Sequence, residues 1–355
     1  MAGGNRHRVV KQLANPTDFS RTSPPNEEWL ARSVPESAIE PELPIIDAHI
    51  HLRHHGYRYF VEEYARDLDS SGHNVEASIF IECRSMYRAH GPEHLKSVGE
   101  TEFAAGMAAI GASGKYTSSR VVAGIIANAD PMLGEPLLEV LDAHIRAANG
   151  RLRGIRHGAK WDADPVVGSI NRAPPGLYLE PEFHRGVRQI AAKELLFEAS
   201  VYHPQISDVT RLAQAVPEAR IVLIHSGSPV GYGGYAGREK EVLARWRASM
   251  SELAKCPNVT VKLGGILMTL ANFDFGQAPR PPTSHELAQL WRPFIEPCLE
   301  LFGAERCMVA SNFPVDKAGM GYGTVWNMFK RITSGCSQGE KQAIFSGTAQ
   351  RLYRL

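Results

Sequence analysis

The stretch PIIDAHIH, Pro44–His51, decides how this chain is read. It opens as a short apolar run and closes on two histidines one residue apart. Alternate side chains of a strand share a face. His49 and His51 are therefore expected to point the same way at the strand's C-terminal end, where one divalent ion can reach both neutral imidazoles. A doubly wound open sheet would carry a glycine-rich phosphate loop at that place instead.

Similar runs recur downstream: Ala77–Cys83, Val121–Ala127, Leu152–His157, Leu195–His203, Arg220–His225, Val259–Gly264 and Arg306–Ser311. Continuous apolar runs suit strands buried on both faces, as in parallel sheets. Segments of helical spacing lie between them, at Pro136–Ala148, Glu182–Ala192, Ile206–Ala215, Glu239–Leu253 and Leu287–Phe302. Strand and helix alternating to a count near eight predict an α/β fold, a (β/α)8 barrel of TIM type. Reactive side chains stand at the C-terminal ends of nearly all these runs: His49, His51, Glu82, Asn128, Asp130, Arg156, His157, His203, His225, Lys262 and Asn312. A barrel brings those ends to one rim, where active sites form.

Residues 43–355 are read as this single domain. Residues 1–42 lack apolar periodicity and read as a partly disordered N-terminal extension, with Glu27–Leu30 able to dock. The net charge of +1 gives no reason to expect nucleic acid or an anionic membrane as partner. No apolar run approaches the ~20 residues that span a bilayer. The polar, basic start has no secretory h-region, so a cytoplasmic protein is expected. Cys83, Cys256, Cys298, Cys307 and Cys336 are scattered without a CxxC, which argues for reduced thiols rather than a disulfide framework or a structural zinc site.

His203 and His225 close the fifth and sixth runs. A lone histidine there would read as a satisfied core residue, but two at matching ends favour a site. Together with His49-x-His51 and the late Ser311-Asn312-Phe313-Pro314, they resemble the amidohydrolase superfamily. The likeness is to its amidohydrolase-related branch of sugar lactonases, 2-pyrone-4,6-dicarboxylate lactonase, 4-sulfomuconolactone hydrolase and some metal-dependent decarboxylases. The resemblance implies a barrel whose rim hydrolyses cyclic esters or amides, with or without a divalent metal.

On that basis His49, His51 and His203 are expected to hold a divalent metal, zinc by preference, that lowers the pKa of a bound water. His225 would orient or stabilise the tetrahedral intermediate. The family aspartate of the eighth strand is Asn312 here, and an amide cannot take a proton at neutral pH. Glu82, Asp316 or His225 would replace it, with Asn312 orienting a water or donating to an oxyanion. The bland alternatives are an ion pair of Glu82 with Arg84 or Arg156, and a solvated Asp316 or its pairing with Lys317. Arg156, His157, Trp161 and Lys262 are the candidate substrate binders, although Lys262 could equally be a structural ion pair inside the barrel. The expected substrate is a small lactone bearing a carboxylate, and a homodimer would not be unusual. A metal-free lactonase, a decarboxylase and a non-catalytic ligand-binding barrel are the alternatives.

Overall fold

The computed structural model describes residues 24–265, 267 and 278–355. A short helix α1 (Glu27–Leu30) precedes strand β1 (Ile45–Ile50). A small antiparallel hairpin follows, β2 (Arg53–His55) and β3 (Tyr57–Tyr59), then α2 (Val61–Ser71). The chain continues through β4 (Val75–Ile81), α3 (Val98–Ala112), β5 (Arg120–Asn128), α4 (Pro136–Ala147), β6 (Leu152–Gly158), α5 (Pro181–Ala192) and β7 (Leu196–Ser200). It then runs through α6 (Ile206–Ala215), β8 (Ile221–Leu223), α7 (Glu239–Ala254), β9 (Val259–Leu263), α8 (Ser284–Phe302) and β10 (Cys307–Val309). Helices α9 (Tyr322–Ile332), α10 (Gln338–Gln342) and α11 (Thr348–Tyr353) finish it.

All eight strands of the main sheet run parallel, in the order β1-β4-β5-β6-β7-β8-β9-β10. The edges meet just beyond β10: His51 N donates to Phe313 O at 2.8 Å, Asn312 N donates to His49 O at 3.0 Å, and Ile50 bridges to Phe313. A (β/α)8 barrel results, nearly closed and ringed by helices. Asp47 holds the same seam. Its buried carboxylate accepts from Ser311 N at 2.9 Å, Ser311 Oγ at 2.5 Å and Tyr322 Oη at 2.9 Å.

Two apolar layers follow from the strand alternation. Outward residues such as Ile45, Ile125, Phe197 and Val261 pack under the helices. Inward residues, among them Ile46, Ile79, Ile126, Leu196, Val222 and Met308, fill the barrel, and Ala349 and Tyr353 of α11 close it from below. Above that floor sits a charged layer. Lys262, completely buried, donates to Glu198 Oε1 and Oε2 at 2.9 and 3.0 Å, and Tyr353 Oη donates to Glu198 Oε1 at 2.8 Å.

Residues 24–42 pack along one flank. Trp29 is buried and donates from Nε1 to Ala278 O at 2.8 Å; Glu36 accepts from Ser284 N at 2.7 Å, and Ile39 N donates to Asn327 Oδ1 at 2.8 Å. Residues 1–23 of the expected extension, and any disorder expected of them, lie outside the described residues. The five cysteines are unbridged. No helix among the described residues is long and apolar enough to cross a membrane.

The buried pair gives a direct test. Lys262→Met leaves the Glu198 carboxylate without its counter-charge, at an expected cost of about 3–5 kcal/mol. Adding Glu198→Gln removes the orphan charge while keeping an acceptor for Tyr353, so urea unfolding should show much of the loss recovered. Equal destabilisation of the single and double variants would mean that the charge pairing is not what this layer supplies.

Candidate active site

The register between β1 and β4 shifts between Asp47 and Ile50. Asp47 faces the helices, whereas His49 and His51 both turn into the barrel mouth. His49 Nε2 and His51 Nε2 stand 3.2 Å apart, and His51 Nδ1 lies 2.8 Å from Ile81 O. A carbonyl can only accept, so His51 carries its proton on Nδ1 and offers a lone pair at Nε2. His49 then donates from Nε2, and its buried Nδ1 is left without a partner.

His225 joins them from the turn after β8, its ring centroid 4.6 Å from that of His49. His225, Ser226, Gly227 and Ser228 all have left-handed backbone, with φ of 53°, 49°, 72° and 45°. Three of these are not glycine, a strain that tends to persist where the surroundings over-determine a functional conformation. Trp246 Nε1 braces the turn by donating to Ser226 O at 2.7 Å. His225 Nδ1 lies 3.1 Å from Gly264 O, which places its proton on Nδ1 and the lone pair on Nε2. Gly265 (φ 62°) passes so close that a Cβ there would sit 2.0 Å from His225 Nδ1.

All three imidazoles are held well below the usual histidine pKa, chiefly by burial. Nearby charge adds to this: His225, Lys262 and Arg156 for His49, Arg156 and Arg53 for His51, and Lys160 and Arg156 for His225. They are neutral bases or ligands at pH 7.

A cavity of about 300 Å³ opens above them, lined in part by His51, His225, Asn312 and Ser200. Its charge is lopsided. Arg53, Arg84, Arg156 and Lys160 all reach it, and Glu82 is the single carboxylate among the described lining residues. Glu82 is already committed, accepting from Arg156 Nε at 2.7 Å. The loop that presents Glu82 and Arg84 is tied from beneath by Glu100 of α3, which accepts from Cys83 N and Ser85 N, each at 2.9 Å.

Asn312 follows β10 in left-handed backbone (φ 58°). Its Nδ2 donates to Asp316 Oδ1 at 2.8 Å, and its buried Oδ1 has no partner. The amide thus offers an acceptor. Asp316 lies behind it, completely buried and outside the cavity wall. Burial pushes the Asp316 carboxyl up to about 8, against the lowering effect of the Asn312 bond.

Four further expected site residues stand elsewhere. The seventh strand ends at Ser200, three residues short of His203, and Ser200 takes the wall position. His203 lies in the turn that starts α6 and faces a different cavity. His157 follows Arg156 on one strand, so alternation turns it outward against Phe183, with its Nε2 3.8 Å from Asp130. Trp161 is fixed through its backbone N to Gln205 Oε1 at 3.0 Å and does not line the cavity. Lys262 is the structural ion pair described above. Conversely, Arg53, His55, Lys160 and Ser200 line the cavity without having been singled out. Alternation continued past the strand ends could have found two of them, through His49, His51, Arg53 and through Arg156, Gly158, Lys160.

Comparison with known proteins bears on what this rim does. The sequence profile described as Amidohydrolase matches residues 46–355. The chain belongs to the amidohydrolase family. An uncharacterized protein of Sinorhizobium fredii, y4mH, is 29% identical over 298 residues, 84% of this chain and 86% of that protein. An L-fucono-1,5-lactonase of Burkholderia multivorans is 30% identical over 206 residues, 58% of this chain and 64% of that protein. Among solved structures, a Burkholderia multivorans amidohydrolase with bound zinc superposes with a TM-score of 0.65 at 24% identity, covering 88% of this chain and 99% of that one. The chain is thus a hydrolase-type enzyme of this family.

An amidohydrolase of this kind raises the question of metal. The Nε2 atoms of His49 and His51 converge and could share an ion once His49 carries its proton on Nδ1, and the His51 Nδ1 set against a backbone carbonyl is typical of a ligating histidine. The rest of the donor set falls short. His203 is turned away, the family carboxylate is an amide, and Arg53, Arg156 and Lys160 crowd the site with positive charge. Among the described residues no group of three or more His, Cys, Asp or Glu is placed to hold an ion. The residues present do not fit a hydrolytic metal centre.

Asp316 makes a pH-dependent contribution of predictable sign. Its carboxyl holds a proton to about pH 8 in the folded protein and releases it near 4 when unfolded. Stability from this group is therefore complete at acid pH and lost as pH rises through that interval. Asp316→Asn removes the dependence. Measured by urea unfolding from about pH 5 to about pH 8, wild type should lose ground to the variant by up to ~1.4 kcal/mol per pH unit. Parallel curves would show that Asp316 ionises as freely folded as unfolded.

Proposed function

We propose that this amidohydrolase opens a small lactone carrying at least one carboxylate. The observation that supports it best is the cavity itself: neutral, buried imidazoles beneath a wall of four cations facing one committed carboxylate. Such a wall attracts an anionic substrate and stabilises negative charge where it develops on a carbonyl oxygen. The lactonase name of one relative points to the same bond.

In this reading His225 is the base. Its Nε2 lone pair takes a proton from a water whose other hydrogen is held by Asn312 Oδ1. The water oxygen attacks the ester carbonyl carbon, and charge passes to the carbonyl oxygen beside Lys160 and Arg156. The ring C–O bond then breaks, and His225 returns its proton to the leaving ring oxygen. The products are a hydroxyl and a carboxylic acid on one molecule, and the acid gives its proton to solvent to become a carboxylate. Arg53 and Arg84 hold the substrate's own carboxylate. Asp316 fixes the amide so that oxygen, not NH2, faces the water. Glu82 keeps Arg156 in place rather than accepting the proton.

The test is a panel of neutral and carboxylated lactones assayed for acid release, with and without prior chelation and zinc loading. Carboxylated members should turn over, and His225→Asn should lower kcat by ~10²–10⁴-fold. Arg53→Gln should act mainly on KM. Activity that appears only with zinc would sink the assignment of His225 as base and restore a metal to His49 and His51. Release of carbon dioxide without ring opening would replace the lactonase reading by a decarboxylase.

A further inference from the structure

His203 leads to a second cavity, of about 250 Å³, between the loop after β6 and the start of α7. Its walls include Asp162, Asp164, His203, Tyr235, Arg238, Glu241 and Arg245, and Asp164 accepts from Val166 N at 2.8 Å. The acidic groups are engaged. Asp162 accepts from Asp164 N at 2.8 Å and from Tyr235 Oη at 2.6 Å, and Glu241 accepts from Arg238 Nε at 2.9 Å. The donors are not. His203 is completely buried, and its Nδ1 accepts from Val230 N at 3.3 Å. Its proton therefore sits on Nε2, which has no partner. Burial, with the charge of Arg245, lowers its pKa to about 4, so it is a neutral donor at pH 7. The charge of Arg245 is felt by His203 and Glu241, yet its guanidinium makes no hydrogen bond or ion pair among the described residues.

A cavity whose unspent groups are one cation and one buried N–H calls for an anionic acceptor. The neighbouring carboxylates disfavour a bare anion, whereas a hydroxyl beside the charge could donate to them. We propose that this cavity is an accessory site for a small hydroxycarboxylate, its carboxylate held by Arg245 and His203 Nε2 and its hydroxyl donating to Asp162. Tyr235, whose ring stands edge-on to His203 at 5.0 Å, is the side chain that swings to admit it. The proposed products of lactone opening belong to this class; that link rests on the preceding reading, but the binding itself does not.

The site also touches the first one. The loop after β6 carries Lys160 on the wall of the main cavity and Asp162 on the wall of this one, and it is cross-tied by Ile170 N donating to Lys160 O at 3.0 Å. A ligand bridging Asp162 and Arg245 braces the segment that positions Lys160.

The test uses the full chain with isotope-labelled histidine, titrated with glycolate, acetate and ethylene glycol without any turnover. The His203 imidazole signal, assigned by its loss in His203→Asn, should shift saturably with glycolate, less readily with acetate, and not with ethylene glycol. In Arg245→Ala, an exposed change, half-saturation should rise about tenfold or more, while the His51 and His225 signals respond as in wild type. A His203 signal that stays fixed, or one that responds equally in Arg245→Ala, would overturn the site. Equal affinity for acetate would overturn the hydroxycarboxylate assignment. Because no catalysis is read, failure of the lactonase reading would leave these outcomes unchanged.

Discussion

The Asp47 carboxylate is the constraint on which the rest depends. It sits at the seam where the first barrel strand meets the residues after the last, and it binds Ser311 across 264 positions of sequence. Buried charge is costly unless saturated with hydrogen bonds, and here four donors converge: two from Ser311, one from Tyr322 and the backbone N of His49 at 3.2 Å. One carboxylate therefore closes the sheet, docks α9 and fixes the start of the histidine pair. The change of parity just after Asp47 turns His49 inward. Barrel closure and site assembly are thus a single event.

Above that seam the interior is layered by polarity. Apolar side chains and the Lys262–Glu198–Tyr353 group lie deep in the barrel, and Arg156, Glu82 and the imidazoles lie at or just beneath the open cavity. The neutral histidines are a product of this order, since burial and the cations around them both oppose protonation. The same cations explain why the rim suits an anion better than a metal ion lacking a carboxylate ligand.

The sequence made the barrel legible because eight apolar runs are long enough to show both faces buried, and all eight became strands. His49, His51, Glu82, Arg156, His225 and Asn312 stood out because they sit at or just past those strands' ends. Two departures have separate causes: His203 lies three residues past a strand that stops at Ser200, and His157 turns away from Arg156 because neighbours on a strand face opposite ways. Lys262 shows the limit of the reading: alternation places it inside the barrel, but only the partner across the interior, Glu198 on another strand, says whether it meets a substrate or a carboxylate. Likewise Asp316 looks like a loop residue in sequence, and burial behind Asn312 gives it a different chemistry.

The floor of the barrel has a consequence for how the chain is made. Tyr353 and Ala349 plug the interior from below, and Ser311 and Phe313 complete the wall. During vectorial synthesis the first strand leaves the ribosome long before these residues exist. Until they arrive its buried carboxylate and histidines have no final partners, and the inner faces of the early strands have nothing to close upon. Non-local closure of this kind slows folding and leaves apolar surface uncovered while the chain grows. The nascent polypeptide is therefore the form of this protein most in need of protection from aggregation, and truncation near α11 should be felt as a failure to mature rather than as a trimmed edge.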